Sequence, residues 1–267
     1  MMETRPGASQ LPALFVSHGA PSVALESGPY PQALSAFGRR YDPRAIIVAS
    51  AHWESQGTIE VGSAPRHSAL YDFGGFAPEL YRMRYDAPGL PGLAAEVAAR
   101  LAGAGFHAAL DPTRPLDHGA WVPLRFLYPE ARVPVVPVSL PAALAADDLY
   151  RLGEALRPLR AEGVLVLGSG GVVHNLRLFD PRHPDVPVPA WAREFDAWFK
   201  SALDRLDAGA LLQYERLAPH ARRAVPTFDH LAPVFVVVGA GRDGKRVEHL
   251  FEGFQYGSIS MRCFAIV

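Results

Sequence analysis

Only one cysteine, Cys263, stands among 267 residues. A lone thiol rules out an internal disulfide and any thiolate-rich zinc site. Excess charge is also missing: the formal net charge is −1, so nothing points to a nucleic acid or an anionic membrane surface as a partner. No apolar run reaches the roughly 18–20 residues a membrane helix needs. The start, Met1 to Gln10, is polar and lacks an apolar h-region, so no secretory signal is expected, and a cytoplasmic location suits the chain. Linkers, low-complexity tracts and internal repeats are absent as well, so one domain over residues 1–267 is expected. Any metal would have to be held by histidine, carboxylate or water, and ten histidines are available.

Hydrophobic residues make up 49% of the chain, enough to bury a sizeable core. Apolar runs predict strands over Ala13–Val16, Ala45–Ser50, Ile59–Gly62, Val133–Ser139, Val164–Gly168 and Ser258–Ile266. Helical spacing predicts helices over Gly92–Ala104, Ala120–Leu127, Ala146–Ala161 and Ala190–Leu206. Gly103 and Gly105 close the first of these, and Asp147 and Asp148 open the third. Val234–Val238 is β-branched, but the preceding Asp229-His230 favours a helix there. Strands alternating with helices, several strands apolar throughout, imply an α/β fold with a central, mostly parallel sheet flanked by helices. Two stretches without a period, the aromatic-rich Ser63–Ala87 and the proline-rich Arg177–Pro189, are connecting loops or substrate lids.

Histidines recur at the edges of the apolar runs. His18 follows Leu14-Phe15-Val16-Ser17, and His52 follows Ala45 to Ala51. A separation of 34 residues suits one crossover unit, so two neighbouring parallel strands would bring both imidazoles to the carboxyl rim of the sheet, where α/β proteins collect ligands. His174 lies beyond Gly168-Ser169-Gly170-Gly171. That turn lacks both the Lys-Ser/Thr ending of a P-loop and the spacing of a dinucleotide fingerprint, so it reads as close backbone approach that delivers His174 into a cleft, as base or ligand. His118 in Asp117-His118-Gly119 is either a helix-start residue or a donor over the substrate, and His230 is either a helix-start residue or a metal ligand. His67, His107, His183, His220 and His249 sit in polar or loop surroundings and read as surface residues. Convergence of His18, His52, His174 and His230 on one divalent ion is the reading that joins these observations, since neutral imidazole suits Zn2+ and Fe2+ alike.

Taken together, Phe15-Val16-Ser17-His18-Gly19-Ala20-Pro21, Ser50-Ala51-His52-Trp53, Leu116-Asp117-His118-Gly119-Ala120-Trp121-Val122-Pro123-Leu124, Gly168-Ser169-Gly170-Gly171-Val172-Val173-His174-Asn175-Leu176 and Asp229-His230-Leu231-Ala232-Pro233 are similar to the class III (LigB-type) extradiol ring-cleavage dioxygenases, most closely the DOPA 4,5-dioxygenase subgroup. The closing Gly257-Ser258-Ile259-Ser260-Met261-Arg262 also fits. The resemblance spans essentially the whole chain in the family's order. It implies a metal at the strand ends held by His18 and His52, with His174 as acid/base residue and possible further ligand, and His118 near the substrate. The third ligand it implies is His230, with Asp229 as rival, because LigB-type enzymes use two histidines and a glutamate. Ser17, Trp53 and Gly170, which flank the histidines in these motifs, are expected at the substrate.

The activity implied is O2-dependent cleavage of a catechol, DOPA-like, to a semialdehyde, with Fe2+ required for turnover and Zn2+ suited to the site but without redox chemistry. Arg84, Arg177 and Arg182 are candidate partners for a substrate carboxylate, with no assignment among them. Two rivals use the same residues: a zinc-dependent hydrolase built on a zinc-bound hydroxide, and a non-catalytic metal-binding protein. Oxygen uptake with a catechol separates the dioxygenase from both.

Overall fold

Successive residues of each central strand point to opposite faces, and both sets are apolar, so the sheet has to be covered twice. In the computed structural model, which describes residues 10–178 and 186–267, that is what forms. The strands are β1 (Ala13–Ser17), β2 (Ala45–Ser55), β3 (Ile59–Gly62), β4 (Ala108–Asp111), β5 (Val135–Pro141), β6 (Val164–Gly170), β7 (Val247–Phe251), β8 (Phe254–Gln255), β9 (Ile259–Ser260) and β10 (Cys263–Ile266). The helices are α1 (Pro29–Gly38), α2 (Pro91–Gly103), α3 (His118–Leu127), α4 (Ala146–Leu156), α5 (Ala190–Asp204), α6 (Ala208–Leu212), α7 (Tyr214–Leu217), α8 (Ala221–Ala224) and α9 (Ala232–Ala240). The main sheet has the order β4-β3-β5-β2-β6-β1-β10-β7. Its centre, β5-β2-β6-β1, is parallel; β3 and β10 join it antiparallel on either side.

Odd and even positions separate two cores. Phe15, Ile47, Val136 and Val166 pack with α2, α4, α5 and α9. Leu14, Val16, Ile46, Val48 and Leu167 pack with α1 and α3. Helix α9 is buried on every side, which is why its β-branched run carries no helical period. It lies so close to β6 that a Cβ at Gly168 would meet the Pro233 carbonyl at 2.5 Å, and one at Gly170 the His230 carbonyl at 2.1 Å. Gly168-Ser169-Gly170, expected as a turn, is the end of β6, and its glycines make room for the start of α9.

Several expectations are corrected. The strands carrying His18 and His52 are not neighbours; β6 lies between them and pairs with both. His52 does not end its strand but sits inside β2, where the pairing with β5 shifts register between Ala49 and Glu54. The run Ser258–Ile266 is two strands, β9 and β10, because Ser260 bonds to Val173 and leaves the main sheet. His67 is buried, with Nδ1 3.0 Å from the Arg114 carbonyl and Nε2 3.1 Å from that of Val135. His249 is half-buried against Asp204 and Arg262, while His107 and His220 are exposed as expected and His183 lies outside the described residues. Among the described residues no helix is long and apolar enough to cross a membrane.

Candidate metal centre

Each histidine is placed by a different piece of backbone. His18 follows β1 directly, with its N–H still bonded to the Gly170 carbonyl of β6, and Gly19 turns the chain away in a left-handed conformation (φ 62°). His118 is the first residue of α3, whose N-cap Asp117 accepts the Ala120 N–H at 3.1 Å and also the Ser50 hydroxyl at 2.6 Å. The helix start can approach β2 because residue 119 is glycine; a Cβ there would meet Ser50 Oγ at 2.5 Å. His174 is fixed by its backbone N–H to the Ala224 carbonyl, and Asn175 by its side chain to Arg223. His230 immediately precedes the turn into α9.

The five rings line one cavity of about 310 Å3, at the small end of the ordinary range for ligand sites, about 300–1,000 Å3. The remaining wall is mostly apolar: Phe73, Phe76, Leu176, Ile259 and the Gly19–Pro21 turn. His18 and His52 face each other, Nε2 to Nε2, at 3.1 Å. Donor atoms of His18, His52 and His118 lie within 4.8 Å of one another. The His230 ring is centred 5.3 Å from that of His18 and 5.0 Å from that of His52, and His174 stacks on His230 at 3.5 Å.

Hydrogen bonds on the far side of each ring set its tautomer. Ser169 Oγ donates to the Gly119 carbonyl, so toward His18 Nδ1, 3.0 Å away, it can only accept. Gly119 needs that donor because residue 123, four positions on, is proline and has no N–H to give. His118 Nδ1 donates to Asp72 Oδ1 at 2.9 Å, and His230 Nδ1 donates to Asp229 Oδ2. His52 Nδ1 faces Asp72 Oδ2 at 3.5 Å. His18, His118 and His230 thus carry the proton on Nδ1 and the lone pair on Nε2, while His52 Nδ1 faces the Asp72 carboxylate at a longer distance. Burial, followed by the charge of the neighbouring imidazoles, pulls His18 well below its ordinary pKa and His52 down to about 2. Burial and His230 bring His174 down to about 3. Imidazole nitrogens of His18 and His52 that stand 3.1 Å apart in one cavity, with His118 close by, are a donor set that fits a divalent ion.

Not every expected residue reaches this cavity. Ser17 is fully buried and spends its hydroxyl on the Ser260 carbonyl. Trp53 is buried under the Arg114 guanidinium, 5.0 Å from its ring, because successive strand residues face opposite ways. Gly170 faces the His230 backbone. Asp229 lines a neighbouring cavity of about 410 Å3 with Glu54 and Thr227. Arg84 and Arg177 are exposed, and Arg182 lies outside the described residues. Conversely, sequence reasoning passed over Ser169 and Asp72. Ser169 was visible in the glycine turn but hidden by its neighbours, and Asp72 sits in the aromatic stretch with no local signal.

The model of the catalytic LigB subunit of aromatic ring-opening dioxygenase matches residues 12–263. The chain belongs to the LigB family. It is an extradiol ring-cleaving dioxygenase, and the family uses a single metal ion. It is 38% identical over 251 residues to a 4,5-DOPA dioxygenase extradiol of Beta vulgaris, covering 92% of each chain. Against the 4,5-DOPA dioxygenase extradiol of Escherichia coli K12 the identity is 34%, over 95% of this chain and 93% of the relative. The crystal structure of an uncharacterized protein from Escherichia coli K12 superposes with a TM-score of 0.80 at 31% identity, covering 96% of this chain and 100% of that one. The LigB match does not favour the hydrolase or a non-catalytic binding protein.

Proposed function

We propose that this LigB enzyme binds Fe2+ between His18 and His52 and cleaves a DOPA-like catechol outside its two hydroxyls, giving a semialdehyde. The observation that carries the reading is the 3.1 Å approach of two imidazole Nε2 atoms on the wall of an aromatic-lined cavity. When bound, the iron supplies the redox chemistry with O2, which Zn2+ cannot. His174 lines the cavity stacked on His230, where it would take a phenolic proton as the diol seats. His118 carries its proton on Nδ1 toward Asp72 and offers Nε2 to the cavity. Phe73 and Phe76 exclude water and present flat faces to the ring. Ser17, Trp53 and Gly170 support this wall from behind and do not touch the substrate.

The third ligand is His230, whose Nδ1–H rests on Asp229; that hydrogen bond leaves Asp229 behind the imidazole and removes it as a ligand. A second reading, favoured by the compact group of His18, His52 and His118, gives the third place to His118. Zn2+ titration of His118→Ala and His230→Ala separates the two, since loss of the true ligand costs far more affinity. The function itself is tested by loading the protein with Fe2+ and adding DOPA or simpler catechols in air. Oxygen uptake with a yellow product supports ring cleavage, and catechol binding without oxygen uptake by the iron form refutes it.

A further inference from the structure

Asp72 belongs to the aromatic stretch over residues 63–87, yet its carboxylate reaches into the histidine cluster. Oδ1 accepts both the backbone N–H and the Nδ1–H of His118, each at 2.9 Å, and Oδ2 lies 3.5 Å from His52 Nδ1. The stretch is pinned on both sides of it. Leu70 N–H bonds to the Leu116 carbonyl, the Trp121 indole bonds to the Leu70 carbonyl, and the Tyr71 hydroxyl bonds to the Met83 carbonyl. The residues that follow, Phe73 and Phe76, are the cavity wall. One carboxylate therefore touches two histidines of the site and the segment that encloses the substrate.

We propose that Asp72 is the positioning residue that couples the aromatic wall to the metal: it holds His52 and His118 with Nε2 free, and a cation on His52 in turn fixes residues 70–76. This rests on the metal-centre reading above, since it needs His52 to ligate. A purely structural alternative is that Asp72 only satisfies the first N–H of α3. Asparagine distinguishes the two. Asp72→Asn keeps an oxygen for the His118 N–H, as capping amides do. It then turns an amide NH2 toward His52 Nδ1. A donor there favours the tautomer with the proton on Nε2, the atom that faces His18, and blocks ligation.

The test is Zn2+ affinity measured against a competing chelator for the parent and for Asp72→Asn, with thermal melting of both metal-free proteins. The expected result is a melting point close to the parent's and a Zn2+ affinity about 10–100-fold weaker, the usual effect of removing an outer-shell partner. A loss of less than threefold overturns the proposal. A parent that binds no Zn2+ refutes the metal centre itself, which is a separate outcome. Hydrogen exchange of the parent with and without Zn2+ supplies a second readout that does not depend on the variant folding. Amides in residues 70–76 gain protection when Zn2+ is added, and unchanged exchange there overturns the coupling.

Discussion

Replacing Ser169 by alanine removes one oxygen atom, yet two buried groups lose their partner. Ser169 is fully buried, its Oγ accepts from His18 Nδ1, and its proton goes to the Gly119 carbonyl. Pro123 prevents the helix from supplying the missing donor. An unsatisfied buried polar group costs about 1–3 kcal/mol, so the two together cost about 2–6 kcal/mol, and partial relaxation places the expected loss near 3 kcal/mol. At about 2–4 °C per kcal/mol, the melting temperature falls by about 6–12 °C. The two halves of the loss are separable. Adding Pro123→Ala restores an N–H for Gly119 but does nothing for His18. In a double-mutant cycle followed by thermal melting, Pro123→Ala is therefore more favourable in the Ser169→Ala background than in the parent. Zn2+ affinity, weakened about 10–100-fold by Ser169→Ala because the His18 tautomer is no longer fixed, stays weakened in the double variant. Additive melting shifts would refute the Gly119 link, and unchanged Zn2+ affinity in Ser169→Ala would refute the assignment of the lone pair to His18 Nε2.

Gly170→Ala drives a methyl to within 2.1 Å of the His230 carbonyl, so it destabilises the protein by about 1–3 kcal/mol and weakens Zn2+ binding; a variant that melts and binds like the parent contradicts the close packing of α9 on β6. Arg262→Ala strands Asp196, whose carboxylate takes both Nε (3.1 Å) and Nη2 of a nearly fully buried guanidinium, and costs about 3–5 kcal/mol in urea unfolding while Zn2+ affinity changes less than twofold. Acid should weaken the metal-free protein. His18, His52 and His174 have folded pKa values below the unfolded value of about 6.5, so the unfolded chain binds more protons once the pH drops under it. Stability is then complete above about pH 6.5 and falls as the pH drops, by about 1.4 kcal/mol per pH unit for each of His52 and His174, or about 2 kcal/mol each at pH 5, with His18 acting in the same direction. Asp72 and Asp229, depressed in the carboxylate sense, add to the loss only below about pH 4. Equal urea midpoints at pH 7.5 and 5.0 would contradict burial of neutral imidazoles.

The central strands were legible because each is a short apolar run closed by a polar or glycine residue, and burial on both faces demands that composition. The ends of the sheet were not: β4 and β7 are half-exposed, and nothing in Ala108–Asp111 or Val247–Phe251 forces a strand without knowing what lies beside it. Helix α1 is absent from the expected helices; it opens with Pro29 and Pro31, and proline in a first helical turn gives up an N–H that has no acceptor there. His67 illustrates the limit of judging a histidine by its neighbours. Ala64, Pro65, Arg66 and Ser68 look like surface, but the ring is packed between carbonyls of residues 114 and 135, and that information lies far along the chain. Four of the five cavity histidines stood out because they lie at the edge of an apolar run or beyond Gly168-Ser169-Gly170, whereas His118 showed only a helix-start pattern.

What the motifs do not show singly is that two of them are halves of one device. Asp117-His118-Gly119-Ala120-Trp121-Val122-Pro123 contains a proline that deprives Gly119 of its helical donor, and read alone this is a defect in α3. Gly168-Ser169-Gly170 contains a serine between two glycines, and read alone it is a place of close backbone approach. Joined across the sheet, the serine repairs the helix with its proton and, by the same act, can only accept from His18. A serine facing a fully bonded helix would be free to turn its proton toward Nδ1, and His18 could then carry its own proton on Nε2. The proline thus reaches the metal site through one hydroxyl, which is why Pro123 and Ser169 must be read together with His18 although neither touches the cavity.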